Sequence, residues 1–168
     1  MTVQIKFNKN LKKTNQTNLV LFVDEKFNIL TLKKHVLSSE YSFISDLIKA
    51  RDLKKKIISF DLNSKRKIIL ISLKKNLTSS DAENLGAKFY DIFKQTKNNE
   101  FTINSETISN KLKNFIGYFL HGLSLKSYLF EKYKTKKSKI KISIVVTGKN
   151  IISTKDQLKF DAIEKGTF

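Results

Sequence analysis

His35 and His121 are the only imidazoles in this chain of 168 residues, and their surroundings offer no metal site. Zinc-binding histidines come with a second ligand about three to five residues away or in an H-E-x-x-H helix, and neither histidine has such a partner. His121 interrupts an apolar stretch beside Gly122, where a packed histidine is the simpler expectation. The chain has no Cys, so it offers no thiolate ligand, no disulfide framework and no thiol nucleophile, which fits a reducing, cytoplasmic setting. No G-x-S-x-G elbow, P-loop or G-x-G-x-x-G fingerprint is present, and the five glycines (86, 117, 122, 148 and 166) never cluster into a phosphate-cradling loop. "VVTGKN", residues 145–150, carries one glycine after an apolar run and reads as a plain turn. Paired carboxylates could do acid/base work. The close acidic pairs, Asp24 with Glu25 and Asp81 with Glu83, have simpler uses at a strand end and in the first turn of a helix.

The formal net charge of +18 raises polyanion binding, because clustered cations release counterions from phosphate backbones. Arg51 and Arg66 are the only arginines, however, and arginine is the side chain suited to bidentate recognition of phosphates and base edges. The wealth of Lys, Asn, Ile and Phe, with no Pro and no Trp, follows an AT-rich coding composition. A solvated lysine surface is therefore the first expectation and a polyanion-binding surface the second.

These residues need a scaffold, and 168 residues with 40% hydrophobic content suffice for one core. No apolar run approaches the roughly 18 residues that span a bilayer, so no membrane association is expected. The first residues, "MTVQIKFNKNLKK", lack the pattern of a signal peptide. Val3, Ile5 and Phe7 alternate as in a half-buried strand, and Leu19–Val23 is continuous as in a strand buried on both faces. "SSEYSFISDLIKAR" sets Tyr41, Ile44, Leu47 and Ile48 at helical spacing. "KKIISFDL" and "KRKIILISLKK" are two strands around a polar turn at 63–65, the second expected to be central. Ser80 with Glu83 reads as a capping box for a helix whose stripe is Ala82, Leu85, Gly86, Phe89, Ile92 and Phe93. After the strand in "NNEFTIN", Ser105 is expected to cap a helix bearing Ile108, Leu112, Phe115, Ile116, Phe119, Leu120 and Leu123. Ile140, Ile142 and Ile144 with Val145 and Val146 make a further strand. A last helix is expected to turn Leu158, Ala162 and Ile163 to one side. The order ββαββαβαβα gives an α/β fold, a mixed sheet with helices on its faces.

"GLSLKSYLFEKYKTKK", residues 122–137, resembles the signature that ends the long helix in the N-terminal domain of leucyl (cytosol) aminopeptidases, of the type G-x-x-L-x-x-Y-x-F-x-x-Y-K-[ST]-K. Gly122, Leu125, Tyr128, Phe130, Tyr133, Lys134, Thr135 and Lys136 match it in order and spacing. Gly117 and Gly122 are expected to let a neighbouring element approach closely. Tyr128, Phe130 and Tyr133 are expected to pack over the helix end, before a solvated lysine run. "DLKKKIISFDL" with "KRKIILISLKK" resembles that domain's strand pair, although "SLKKN" stands where the family has G-L-G-K. The closing "DQLKFDAIEKGTF" resembles the helix that leads to the catalytic domain.

The resemblance implies a three-layer macro-domain-like module over residues 1–150, and a linker helix over 151–168 leading to a catalytic domain outside these residues. In that family the Lys, Asp and Glu ligands of two divalent metals (zinc or manganese) lie in the C-terminal domain, so none of them, and no catalytic residue, maps onto a position here. It implies a cytoplasmic parent that releases N-terminal amino acids, with its own catalytic domain and a homohexamer as partners. These 168 residues alone are expected to be inactive and to serve assembly and active-site access. A lysine-rich module that binds polyanions weakly, nucleic acid included, is the alternative.

Overall fold

The computed structural model describes residues 3–8, 18–108, 112–133, 141–148 and 154–167. Six strands form one sheet: β1 (Val3–Asn8), β2 (Asn18–Val23), β3 (Ile57–Asp61), β4 (Lys67–Ser72), β5 (Glu100–Asn104) and β6 (Ile142–Thr147). Their spatial order is β1-β6-β5-β2-β4-β3. All neighbours run parallel except β3, which returns antiparallel to β4. The reversal needs only the short turn after Asp61, where the Asn63 side chain accepts from the amides of Lys65 and Arg66. Parallel neighbours require crossovers, and those are the helices.

Those helices are α1 (Ser38–Ala50), α2 (Ser79–Phe93), α3 (Phe115–Lys132) and α4 (Thr154–Thr167). The order of strands and helices follows the expected ββαββαβαβα, and the mixed sheet carries helices on both faces. Every residue of β2 is buried, because its two faces feed two cores. Val20 and Phe22 meet α2 and α3 on one side; Leu19, Leu21 and Val23 meet α1 and the 3-10 turn Leu30–Lys34 on the other. The larger core is built on phenylalanines, with Phe22 edge-on to Phe115 at 5.3 Å and Phe89 edge-on to Phe101 at 5.2 Å. Ile68–Ile71 of β4 are buried likewise, and β4 lies one strand from the edge.

Several local expectations are corrected. The cap of α2 is Thr78 rather than Ser80: its hydroxyl accepts from the Asp81 amide at 3.1 Å, and the Asp81 carboxylate accepts from the Thr78 amide at 3.1 Å. Its stripe includes Tyr90 and excludes the exposed Ile92. Ser105 caps no helix: Ser105–Thr107 is a 3-10 turn opened by Asn104, and α3 begins only at Phe115. Among the described side chains of α4 Phe160 is buried, while Leu158 and Ala162 are exposed; the side chain of Ile163 lies outside the described residues. Ile140 lies outside the described residues. No helix among the described residues is long and apolar enough to cross a membrane.

Candidate functional site

In an open parallel sheet, ligands gather outside the carboxyl ends of the strands, where neighbouring strands send their connections to opposite sides. Here that place lies between β2, whose chain continues toward β3 and β4, and β5, whose chain continues toward β6. β2 and β5 pair only from Asn18 with Phe101 to Val20 with Ile103. Beyond that, the turn Ser105–Thr107 enters the gap. The Thr107 hydroxyl accepts from the Phe22 amide at 2.9 Å and donates to the Asn104 carbonyl at 2.8 Å. Ser105 donates to the Thr147 carbonyl at 2.6 Å, and Thr147 donates to the Ile103 carbonyl at 3.3 Å. Asn104 accepts from the Glu106 amide at 3.0 Å, and its side-chain nitrogen lies 3.1 Å from Nδ1 of His35. Asn104, Ser105, Thr107, Thr147 and His35 are all buried, so the network meets the demand that buried polar groups be paired.

Gly148 completes the arrangement. Its φ of +104° is left-handed, and a Cβ there would stand 2.7 Å from both Glu106 Cγ and Ser105 Oγ. The single glycine in "VVTGKN" therefore seats the turn against the end of β6. The rim beside it is also built from backbone turns: Asp24 accepts from the amides of Lys26 and Asn28 at 3.0 Å, and Phe27 takes a φ of 55° with its ring buried. Ser105 donates to a carbonyl and His35 Nδ1 faces the Asn104 amide, so these two contacts do not themselves make a nucleophile–base pair. The chemistry of this strand-end network is the mutual satisfaction of polar groups.

The signature positions lie elsewhere, along α3. Gly122 faces α2, and a Cβ there would stand 1.9 Å from the Glu83 carbonyl oxygen; Gly86 of α2 answers with 1.9 Å to the Phe119 carbonyl oxygen. The two helices thus cross with backbone against backbone at both points. Gly117 faces the Phe160 ring, at 2.1 Å from a Cβ built there. Leu125 and Tyr128 are half-buried. Tyr133 does not pack over the helix end: it follows the last helical residue and is 78% exposed. Lys134, Thr135 and Lys136 lie outside the described residues, as does the side chain of Phe130. His121 Nδ1 lies 3.2 Å from Glu83 Oε1, a pairing across 38 residues that no local pattern announces. Asp81 has its carboxyl held below the ordinary value of 3.8 by the hydrogen bonds with Thr78, helped by Lys74 and Lys56.

No protein-family model and no curated protein sequence matches this chain. Solved structures do. A tomato leucine aminopeptidase bearing a point substitution superposes with a TM-score of 0.66 at 13% identity, over 96% of this chain and 35% of that one. The macrodomain of Thermus aquaticus DarG superposes with a TM-score of 0.55 at 11% identity, over 88% of this chain and 99% of that one. The fold is macrodomain-like. At such identities the likeness is one of backbone course, and the chain spans about a third of the length of the aminopeptidase it matches.

Proposed function

We propose that these 168 residues serve as a non-catalytic domain of a leucyl aminopeptidase, a cytoplasmic two-metal exopeptidase that releases N-terminal amino acids, and that they act in its assembly and in access to its active sites. The observation that carries this is the extent of the backbone match: 96% of the chain at a TM-score of 0.66 to the aminopeptidase, against 88% and 0.55 to the free-standing macrodomain. The strand-end crevice favours the same function, since the turn at Ser105–Thr107 fills it. Among the described residues, no three of His, Asp and Glu stand where they could hold a metal ion. In this proposal zinc or manganese would be held by the catalytic domain. The partners in this proposal are that domain and further copies in a hexamer.

The 168 residues, purified and supplied with manganese, are expected to release no product from a leucine anilide. Co-expressed with the metallopeptidase domain of the same organism, they are expected to co-elute in a fixed ratio by size exclusion with light scattering. Turnover above a metal-only blank, or separate elution, overturns the proposal.

One observation favours the polyanion alternative. Lys65, Lys67 and Lys97 line a groove of ≈ 400 Å³ with Gln95 and Asn98, at the amino ends of β2 and β4. Against it, both arginines are engaged within the fold: Arg66 pairs with Glu40 at 3.1 Å, and Arg51 stacks 5.0 Å from the centre of the Phe60 ring. Lysine–phosphate binding would hold a short DNA duplex at about 50 mM salt and release it by about 200 mM. Absence of retention at the lower salt removes this alternative.

A further inference from the structure

A cavity of ≈ 180 Å³ lies between β1, α3 and α4. Its walls are mostly apolar: Val3, Ile5 and Phe7 from one face of β1, Leu120 from α3, and Phe160 from α4. His121, Ser124, Gln157 and Asp161 supply its polar groups, and His121 is the one with a buried atom left unpaired. His121 is held by Glu83 through Nδ1 at 3.2 Å, while its Nε2 is buried and meets no hydrogen-bond partner among the described residues. A buried polar atom without a partner is a cost that folds normally avoid, so its retention in an apolar cavity marks the chemistry that would fit there.

The ring's orientation defines that chemistry. When the Glu83 carboxylate accepts in the 3.2 Å contact, the proton of that bond sits on Nδ1. In the neutral imidazole this leaves Nε2 with its lone pair directed away from Glu83, as an acceptor seeking a donor. The volume slightly exceeds the about 150 Å³ of an apolar cavity known to hold a benzene ring. Asp161, exposed on α4, also lines the cavity and sets a carboxylate near any occupant. An anion is disfavoured for that reason.

We propose that this cavity is a binding site for a small neutral aromatic ligand bearing one hydroxyl donor, of the phenol class, with the ring among Val3, Ile5, Phe7, Leu120 and Phe160 and the hydroxyl donating to His121 Nε2. Nothing in the proposal depends on the aminopeptidase function. It would make α3 and α4 responsive to a ligand, since Phe160 also rests on Tyr118, edge-on at 5.2 Å, and over Gly117.

The test is a titration of the ¹⁵N-labelled full chain with phenol, toluene and benzoate, followed by amide shifts. Phenol is expected to give saturable shifts confined to residues 3–7, 117–124 and 157–161, and to bind about 3- to 10-fold tighter than toluene, the worth of one neutral hydrogen bond. Benzoate is expected to give none. In His121→Phe the phenol preference should vanish, while Ile92→Ala, at an exposed position of α2 outside the cavity, should leave it unchanged. The wild-type comparison stands alone if His121→Phe does not fold. Absence of saturable shifts, shifts elsewhere, equal affinity for phenol and toluene, or tighter binding of benzoate each overturns the site.

Discussion

Replacing Gly122 with alanine asks whether the crossing of α2 and α3 is set by backbone contact. A Cβ at 122 would stand 1.9 Å from the Glu83 carbonyl oxygen, where ordinary contact begins at 3.4 Å, so the helices must part by 3.4 − 1.9 = 1.5 Å. A gap of about 0.5–1 Å already forfeits a quarter to a half of the dispersion well between facing atoms. The layer made by Ala82, Leu85 and Phe89 with Phe119 and Leu123 would therefore lose much of its packing. Overpacking costs about 1–3 kcal/mol, and a rigid backbone obstacle places this case at the upper end. The better helix propensity of alanine offsets up to about 1 kcal/mol. Gly122→Ala is thus expected to lose about 2–3 kcal/mol by urea denaturation, or roughly 4–12 °C in Tm for a chain of this size. Gly86→Ala meets the Phe119 carbonyl at the same 1.9 Å and should cost as much. One separation relieves both clashes, so the double variant should cost well under the sum of the two. Gly117→Ala meets only the Phe160 ring, which can swing, and its effect should stay local to α4. A Gly122→Ala protein within about 0.5 kcal/mol of wild type, or an additive double variant, would refute the crossing as described.

Other consequences are local. Thr78→Ala removes the cap of α2 and should cost about 0.5–2 kcal/mol in urea, whereas Ser80→Ala should be neutral; the reverse ranking would restore Ser80 as the cap. Because the Asp81 carboxyl is held below its ordinary value of 3.8 by Thr78, its contribution is present above that value and lost as pH falls through the lowered one. Asp81→Asn should therefore be less stable than wild type near neutrality and converge with it in acid, and a pH-independent difference would contradict this. Thr107→Val strips the acceptor from the buried Phe22 amide and should cost about 1–3 kcal/mol, with Thr107→Ser recovering most of it; equal losses in both variants would show that the hydroxyl is not responsible.

The sheet was legible because burial writes itself into sequence as period. The continuous run Leu19–Val23 is buried on both faces, and the alternation of Val3, Ile5 and Phe7 belongs to an edge strand. Helix starts were less legible. Thr78 with Asp81 and Ser80 with Glu83 are two cap patterns two residues apart, and sequence alone does not say that Glu83 is taken by His121 across the crossing. Ser105 misled for the same reason: its hydroxyl goes to the carbonyl of Thr147, 42 residues away. Tyr90 in place of Ile92 and Phe160 in place of Leu158 show the limit of a stripe, since the residues at its margins are buried or exposed by the neighbouring element rather than by spacing. The strand-end network draws on residues 35, 104–107 and 147–148, each unremarkable locally, and becomes visible only when the parallel strands align.

That network also bears on what a macrodomain-like sheet can do in this chain. A ligand entering between β2 and β5 must displace the turn, breaking the bond from the Phe22 amide to Thr107 and the bond from Ser105 to the Thr147 carbonyl. At a net ~0.5–1.5 kcal/mol each, the two lower an intrinsic affinity by about 5- to 150-fold. Gly148, the residue that leaves backbone accessible at the end of β6, is itself packed against Ser105 and Glu106. The end of the sheet that would receive a ligand is thus invested in holding β2, β5 and β6 in register. The positions that admit no side chain at all, Gly86 and Gly122, fix how the helix layer lies on the sheet. The polar groups at the sheet end and the glycines of the helix crossing are thus both committed to rigidity.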